Sequence, residues 1–254
     1  IDNVPQKGSW NMAVDEFLFY SLSEQPQTFL RFYQWKNPTV SLGYSQQIQR
    51  AADISFCEAG GIDIVRRMTG GKLVLHNHEI TYSLCSSDKE MFTDRLPDSY
   101  RKISLGLMKG LELMGLKPEL ADEPPVEYIK GVLPCFSHPA QNEIEVNGKK
   151  IIGSAQKRVN TRFIQHGSIP MGENEQILRM VSSLRLESKI SLISLSEALG
   201  RELSYEQAVD FFIQGFSDFF RIDCLPYEFS SDDILKIQAL QHDKYESRDW
   251  TYLR

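Results

Sequence analysis

The sequence has few cysteines, and they lie too far apart to form the short-range pairs of a metal cluster. Cys57, Cys85, Cys135 and Cys224 are the four cysteines among 254 residues, and no two of them form a CxxC pair. This spacing argues against both a zinc cluster and a dense disulfide framework. We therefore expect reduced thiols and no metal site.

The sequence also lacks the apolar run of about 20 residues that a membrane-spanning helix requires. Its first residues, IDNVPQKGSWNMAVDE, contain no basic segment followed by an apolar one, which is the pattern of a secretory signal. Hydrophobic residues make up 41% and charged residues 24% of the chain, as is usual for a globular protein. We expect a soluble, cytoplasmic protein that does not contact a membrane.

An excess of positive charge is missing as well. Lysine and arginine number 28 against 34 acidic residues, which gives a formal net charge of -6. Because nucleic-acid phosphates require a basic surface, this balance argues against a general nucleic-acid-binding protein. The chain shows no internal repeat or interdomain linker, so residues 1–254 predict a single domain with a substantial core, which we expect to be a monomer.

Hydrophobic periodicity predicts helices interspersed with short strands. Apolar residues recur at helical spacing over 10–22, 99–114 and 205–220, and a polar helix or loop is expected near 232–241. Runs of β-prone residues bounded by turn residues predict strands at 28–35, 39–42, 62–65, 73–75, 80–84, 143–146, 150–152 and 161–169. The Asn147-Gly148 pair favours a tight hairpin turn before the strand that carries Lys150.

The most informative segment is RRMTGGKLVLH at residues 66–76, here called the glycine loop. Gly70 and Gly71 let the backbone approach a ligand closely, while the two arginines before them and Lys72 after them supply positive charge. This pattern indicates a loop that binds an anion or a carbonyl oxygen. An ordinary glycine hairpin with solvated charges carries equal weight on this segment alone. The segment is not a phosphate-binding P-loop, because leucine follows Lys72 and the required earlier glycine is absent.

A second informative segment is KKIIGSAQKR at residues 149–158. It places Lys150 on a predicted strand just before Gly153, Ser154 and Ala155. Small side chains there leave room for a ligand beside the lysine. A lone lysine at such a position is otherwise most often an exposed hairpin residue.

These segments, together with three further motifs, resemble the lipoate-protein ligase and octanoyltransferase family. The motifs are NMAVDE at 11–16, PTVSLG at 38–43, the glycine loop, KIIGSAQ at 150–156 and HGSI at 166–169, with a weaker echo in KY at 244–245 and WTY at 250–252. The resemblance implies an α+β fold with a mixed β-sheet flanked by helices, as in the catalytic domain of biotin and lipoate protein ligases. Residues 10–170 would hold the core motifs, and residues 171–254 would form a helical C-terminal part of the same catalytic domain.

The resemblance further implies an acyl chain buried beside the glycine loop and an essential lysine, which motif position identifies as Lys150. Cysteine-dependent members of the family carry a Cys-Phe pair upstream of this lysine, whereas ATP-dependent ligases generally carry an Asn-Asp pair just before the lysine hairpin. Cys135-Phe136 matches the first pattern, so we predict Cys135 and Lys150 as the catalytic residues. The predicted substrate-binding residues are Arg66, Arg67, Thr69, Gly70, Gly71, Lys72, His76, Gly153, Ser154, Ala155, His166 and Gly167.

A cysteine nucleophile would make nucleotide unnecessary, because one thioester is exchanged for another at little cost in free energy. The acceptor is a protein lysine whose reference pKa of about 10.4 leaves it mostly protonated at neutral pH. A second ammonium and a dry pocket would favour its neutral form. Lys150 could act in this way, lower the pKa of the thiol or stabilise the oxyanion, and the sequence leaves these roles open.

The resemblance leaves three functions open. The first is transfer of an octanoyl or lipoyl group to a lysine of a lipoyl-carrier protein, with no cofactor required. Its donor would be octanoyl-acyl-carrier protein or a lipoyl protein, and its acceptor the glycine-cleavage H protein or a dehydrogenase E2 lipoyl domain. The second is an ATP-dependent lipoate-protein ligase, which needs ATP and Mg. The third is a non-catalytic protein that binds lipoyl domains.

Several secondary expectations concern the remaining polar residues. Cys57, Cys85 and Cys224 stand in apolar contexts that predict packed, inert thiols. His138 is close to Cys135 in sequence and is a candidate partner for it. The loop departs from the family pattern at Lys72, which stands where the family has a third glycine. A second departure lies within 76–79, where a glycine that the family commonly has a few residues beyond the motif histidine is replaced. A basic face toward an acidic lipoyl domain is predicted to comprise Arg66, Arg67, Lys72, Lys150, Lys157 and Arg158.

Overall fold

The structure is a computed structural model that describes residues 4–22, 25–121, 143–183 and 191–254. The predicted nucleophile Cys135, its neighbour Phe136 and the candidate partner His138 lie outside the described residues.

Two β-sheets lie at the centre of the described part of the chain. Their strands are β1 (Thr28–Tyr33), β2 (Thr39–Leu42), β3 (Asp63–Arg66), β4 (Val74–His76), β5 (Glu79–Ser86), β6 (Glu119–Leu120), β7 (Ile144–Val146), β8 (Lys149–Val159) and β9 (Arg162–Pro170). The helices around them are α1 (Gly8–Ser21), α2 (Ile48–Ala51), α3 (Ile54–Ala59), α4 (Leu96–Leu113), α5 (Glu175–Val181), α6 (Leu195–Leu199), α7 (Tyr205–Phe220), α8 (Ser231–Leu240) and α9 (Arg248–Thr251). A π-helical turn, Gln241–Tyr245, continues α8.

The predicted α+β fold with a mixed sheet and flanking helices is confirmed, with the strands divided between two sheets. The large sheet has the order β1-β5-β9-β8-β7-β6 and pairs its neighbours antiparallel. The small sheet has the order β3-β2-β4, in which β2 runs parallel to β3 and antiparallel to β4. The mixed pairing is therefore confined to the small sheet, which carries the glycine loop between β3 and β4.

The register of the large sheet aligns one row of residues across four strands. Tyr33 pairs with Thr81, Thr81 with Ser168, and Ser168 with Gly153. Because neighbouring strands lie roughly 4.8 Å apart, this row extends about 14 Å from β1 to β8. It places the region next to Lys150 and the end of the chain's first strand on one continuous surface.

The two faces of the large sheet have different environments, because side chains alternate between them along each strand. One face carries Phe32, Tyr82 and Phe163, which pack with apolar residues of α4 and α7 in the main hydrophobic cluster. The opposite face carries a polar set that includes Tyr33 and His166 and lies toward α1 and the small sheet. Polar chemistry is therefore concentrated on the face that α4 and α7 do not cover.

The helix predicted at 205–220 begins and ends where α7 does, and its start has a local cause. Ser204 and Gln207 form a reciprocal capping box at its first turn. Helix α4 begins at Leu96, earlier than predicted, with a proline in its first turn. None of the described helices is both long enough and apolar enough to cross a bilayer.

Candidate active site

A cavity of about 290 Å³ lies between the polar face of the large sheet and the small sheet. The predicted site residues that line it are Arg67, Gly71, Lys72, His76, Lys150, Gly153, Ser154, Ala155, His166 and Gly167. Arg66, Thr69 and Gly70 lie outside this lining. The two segments singled out in the sequence, far apart along the chain, therefore meet at one cavity.

Lys150 reaches the cavity wall from the start of β8 and is paired with a carboxylate. Its Nζ lies 2.5 Å from Oε1 of Glu143, and the two side chains are 19% and 8% exposed. Gly153 leaves space for the lysine stem, since a Cβ at that position would lie only 3.1 Å from Cε of Lys150. A larger residue at 153 would therefore press on the end of the lysine side chain and shift it by a few tenths of an ångström.

The buried side chain of Arg67 holds the glycine loop in place through hydrogen bonds to backbone carbonyl oxygens. Its guanidinium donates to the carbonyl oxygens of Ser41 at 2.8 Å, Gly70 at 3.0 Å and Lys72 at 2.7 Å. Burial lowers the pKa of Arg67 to about 10, so the group still carries its charge at neutral pH. Gly71 has a φ of 87°, and a Cβ there would lie 2.8 Å from the guanidinium. Arginine and glycine together fix the path of the loop backbone along the cavity.

Arg66 lies behind the loop and joins it to the C-terminal helix α9. It is fully buried and donates to the carbonyl oxygens of Gly43 at 3.0 Å and Gln46 at 2.7 Å on one side. On the other side it donates to the carbonyl oxygen of Thr251 at 2.8 Å. The prediction that Arg66 and Arg67 belong to an exposed basic face is wrong, because both guanidinium groups point inward to satisfy backbone carbonyls.

His166 links the glycine loop to helix α1 through hydrogen bonds at both ring nitrogens. Nε2 lies 2.6 Å from Oγ1 of Thr69, and Nδ1 lies 3.2 Å from a carboxylate oxygen of Asp15. Burial lowers the pKa of His166, which favours the neutral ring at neutral pH. Burial alone would raise the pKa of Asp15, but the His166 hydrogen bond and the Arg31 charge 2.9 Å away hold it below its usual value. His166 therefore positions the loop as a neutral imidazole. Its ring is oriented by the Asp15 carboxylate, which Arg31 holds in place.

His76 is held in a second network on the other side of the cavity. Its Nε2 lies 2.7 Å from Oγ of Ser41, its Nδ1 lies 2.7 Å from Oε1 of Glu79, and its ring stacks on Trp35 at 4.0 Å. Trp35 Nε1 also donates to Oγ1 of Thr81 at 2.7 Å. The stacked rings of His76 and Trp35 therefore form a flat wall at this side of the cavity.

Sequence reasoning missed several residues of these networks. Asp15 lies within the NMAVDE motif, yet the motif alone does not show that its carboxylate points toward His166. The only signal in the sequence is an acidic residue among the apolar positions of a predicted helix. The other missed residues that line the cavity are Met12, Tyr33, Trp35, Ser41, Val74, Thr81, Glu143 and Ser168.

The remaining cysteines within the described residues divide into two kinds. Cys57 and Cys85 are buried, as predicted. Burial raises the pKa of both thiols, to about 11 for Cys57, where neighbouring carboxylates add to the effect. Thiols of this kind are poor nucleophiles at neutral pH. The prediction that Cys224 is packed is wrong, because the extended segment after α7 runs along the surface and leaves this thiol exposed.

The cavity combines features that suit an acyl group. Met12, Trp35 and Val74 provide apolar surface, while Lys150 and the loop backbone provide polar groups at the wall. A methylene chain can pack on the first set, and a carbonyl oxygen that gains negative charge can be stabilised by the second. The arrangement therefore fits chemistry at the carbonyl of an acyl chain.

Comparisons with known proteins agree with this arrangement. Residues 7–217 match the lipoyl protein ligase A/B catalytic domain. Octanoyltransferase LipM of Carboxydothermus hydrogenoformans is 34% identical over 263 residues, with 99% of this chain and 97% of the relative covered. Octanoyltransferase LipM of Bacillus subtilis (strain 168) is 32% identical over 270 residues, with 100% and 97% covered.

Solved structures show the same fold at lower identity. Protein Ta0514 from T. acidophilum, solved with bound lipoic acid, superposes with a TM-score of 0.84 at 21% identity, covering 99% of this chain and 96% of the other. A lipoate-protein ligase A solved with ATP superposes with a TM-score of 0.81 at 20% identity and 98% coverage of both chains. The match of the family model and the full-length similarity to curated relatives confirm the predicted family: the chain belongs to the lipoyl protein ligase A/B catalytic-domain family.

Proposed function

We propose that this chain is an octanoyltransferase of protein lipoylation that carries the acyl group on Cys135 between donor and acceptor. Relatives similar over the full length of the chain are octanoyltransferases, and the predicted acyltransferase class is confirmed at that level. The cysteine route, the donor and the acceptor are the parts that we propose beyond it.

The observation that carries the proposal is the position of Lys150 in the wall of a cavity suited to an acyl chain. Its ammonium sits beside Gly153 and is oriented by Glu143 at 2.5 Å. A charge fixed at this position can stabilise the oxyanion that forms when a nucleophile adds to the acyl carbonyl. Of the two loop glycines predicted to supply further donors, Gly71 lines the cavity, and its backbone N–H is the proposed additional donor.

The proposed reaction has two balanced transfers. In the first, the Cys135 thiolate attacks the octanoyl thioester, a new carbon–sulfur bond forms, and the carrier leaves as a thiolate that takes up a proton. In the second, the amine of the acceptor lysine attacks the acyl-enzyme, the amide bond forms, and the bond to Cys135 breaks. The proton lost by the amine is taken up by the departing Cys135 thiolate. No nucleotide is consumed, because the acyl group is activated as a thioester from the start.

We propose octanoyl-acyl-carrier protein as the donor and a lipoyl-carrier protein as the acceptor. A structurally similar protein from Thermoplasma acidophilum, with a TM-score of 0.81, is described as a bipartite lipoate protein ligase studied with its E2 lipoyl domain. That description supports a lipoyl domain as one kind of acceptor. The glycine-cleavage H protein is the other acceptor that we would test.

The requirement for nucleotide separates this proposal from the ligase function. The purified chain is incubated with a lipoyl-carrier protein and either octanoyl-acyl-carrier protein without ATP, or free octanoic acid with ATP and Mg. We expect an octanoyl-modified acceptor in the first mixture, because the donor thioester already supplies an activated acyl group. Modification only in the second mixture would instead identify an ATP-dependent ligase, and modification in neither would favour a protein that only binds lipoyl domains.

A further inference from the structure

We propose that Glu143 is a positioning residue for the transfer reaction, because its carboxylate directs the Lys150 ammonium along the cavity wall toward the acyl carbonyl. This inference rests on the proposed function and adds to it a residue that does not itself react. Glu143 immediately precedes β7, the first strand of the hairpin formed by β7 and β8.

The geometry of the pair is that of a strong, charge-assisted hydrogen bond. The distance between Oε1 of Glu143 and Nζ of Lys150 is 2.5 Å, and the carboxylate side chain is only 8% exposed. Both residues line the cavity. An ammonium has three N–H donors, so one directed at Glu143 leaves two for groups that enter the cavity.

The backbone around the pair is fixed on both sides. The N–H of Lys150 donates to the carbonyl oxygen of Ser191 at 3.0 Å, and its carbonyl oxygen accepts from Ile193 at 2.9 Å. The carbonyl oxygen of Glu143 accepts from the N–H of Ala121 at 2.8 Å. With both backbones anchored, the freedom that remains is rotation of the long lysine side chain, and the carboxylate restricts that rotation.

The surroundings strengthen the electrostatic effect of the carboxylate. Burial raises the pKa of Tyr100 well above its usual value, and the charge of Glu143 raises it further. Tyr100 therefore stays a neutral phenol, so no phenolate anion competes with Glu143 for the Lys150 ammonium. In a partly buried site, the attraction between ammonium and carboxylate is screened less than at the surface.

The chain contains a second ion pair that serves as a matched control. Lys244 Nζ lies 2.6 Å from Oε2 of Glu16, and the two side chains are 27% and 8% exposed, close to the values for the proposed pair. This control pair connects α1 to the C-terminal part of the chain and does not line the 290 Å³ cavity. Loss of either carboxylate removes an ion pair with a lysine, and at Glu16 it also removes a hydrogen bond from Tyr245. Only the pair of Glu143 and Lys150 contacts the cavity.

The test compares Glu143→Gln, Glu143→Asp and the control Glu16→Gln in single-turnover octanoyl transfer and in thermal unfolding. We expect Glu143→Gln to lower the transfer rate constant at saturating donor roughly 10- to 100-fold, less than the 10²- to 10³-fold typical of losing an oxyanion donor outright. KM for the donor should stay within about twofold, since the carrier is not bound by this pair. Glu143→Asp should recover part of the rate, and Glu16→Gln should keep all of it.

A second measurement does not depend on activity. Trace labelling of lysines with an acetylating reagent, read out by peptide mass spectrometry, should show faster labelling of Lys150 in Glu143→Gln than in the wild type. An unchanged transfer rate and unchanged labelling in Glu143→Gln would overturn the inference. A wild-type protein without transfer activity but with faster Lys150 labelling in the variant would count against the proposed function and leave the positioning contact in place.

Discussion

Gly71 lies in the part of the glycine loop that lines the cavity, and the space around its Cα is restricted. It combines a φ of 87° with a backbone so close to Arg67 that a methyl group would lie 2.8 Å from the guanidinium. Arg67 cannot move aside without losing hydrogen bonds to the carbonyl oxygens of Ser41 and Lys72. Both constraints act on the loop that borders the cavity.

Replacement of Gly71 by alanine should therefore destabilise the protein and slow transfer. We expect Gly71→Ala to lower the free energy of unfolding by about 3 kcal/mol, from backbone strain and lost guanidinium hydrogen bonds, and to slow octanoyl transfer at least roughly tenfold. Gly115→Ala is the matched control, since Gly115 has a φ of 94° and no atom lies within 4 Å of the position that a Cβ would take. It should cost about 1 kcal/mol and leave transfer unchanged. Equal losses in stability and activity for the two variants would contradict this account of the loop.

The residues that the sequence identified and those that it missed differ in a physical way. Lys150 and Gly71 each lie in a short segment of charged and small residues, and such a segment can be recognised from the sequence alone. Glu79 and Trp35 meet only because β5 and β1 pair in one register, and nothing near either residue in the sequence indicates that contact. Partners brought together by sheet register are therefore the part of the site that local motifs do not contain.

At the scale of elements, the regular helices and strands could be predicted where their periodicity was strong. Helix α7 matches its predicted bounds, whereas β8 extends to Val159 although the sequence predicts a strand that ends at 152. Residues 153–158 read GSAQKR and lack alternating apolar residues. They continue the strand because β9 pairs with them along their whole length, with the cavity on one face and α4 near the other. Tertiary contacts, not local propensity, determine the length of this strand.

The C-terminal helix α9 contacts the strand that leads into the glycine loop, and only a weak sequence motif indicated this contact. The weakly matching WTY motif at 250–252 covers the last residues of α9 and the residue after it. The carbonyl oxygens of Trp250 and Thr251 accept hydrogen bonds from Arg66. Trp250 Nε1 donates in return to the carbonyl oxygen of Arg66 at 2.8 Å. The end of the described chain is thus attached directly to the strand that leads into the glycine loop. The predicted ligand-binding role of Arg66 stays a prediction, and its observed contacts are all with the protein's own backbone.

At the scale of the whole molecule, the acidic chain carries a local basic surface close to the glycine loop. Tyr44, which is 39% exposed, has the Lys157 ammonium 5.9 Å and the Arg254 guanidinium 5.1 Å from its ring centre. Tyr44 is joined to the loop by the bond from its N–H to the carbonyl oxygen of Thr69, at 2.8 Å. Within the described ranges, neither cation forms an ion pair with a carboxylate side chain. Lys157 belongs to the basic face expected from the sequence, and the exposed Lys72 stays a predicted member of it, whereas the buried Arg66 and Arg67 do not contribute.

Charge reversal on this surface should weaken docking of an acidic carrier protein and leave the chemistry intact. We expect the double variant Lys157→Glu, Arg254→Glu to raise KM for the carrier roughly tenfold with kcat nearly unchanged, and to reduce the dependence of KM on salt. The control is Lys109→Glu, Lys236→Glu, which makes the same change in net charge on α4 and α8. Equal effects of the two double variants would show that net charge, and not this surface, determines carrier binding.

The family and the fold class of the whole molecule could be predicted because five motifs keep their order along 10–170. The division into two sheets could not, since the small sheet is inserted within the large one along the chain: β2, β3 and β4 lie between β1 and β5. The cavity exists only where the two sheets meet. Its shape therefore depends on long-range pairing that no single segment specifies.

The central claim is that the octanoyl group passes through a covalent intermediate on Cys135. Intact-protein mass spectrometry tests it directly, after the wild type, Cys135→Ala and the exposed-thiol control Cys224→Ala are each mixed with octanoyl-acyl-carrier protein without ATP. The account predicts a hydroxylamine-labile octanoyl adduct on the wild type and on Cys224→Ala, discharged when a lipoyl-carrier protein is added, and no adduct on Cys135→Ala. An adduct that persists in Cys135→Ala, or acceptor modification by that variant at the wild-type rate, would contradict it.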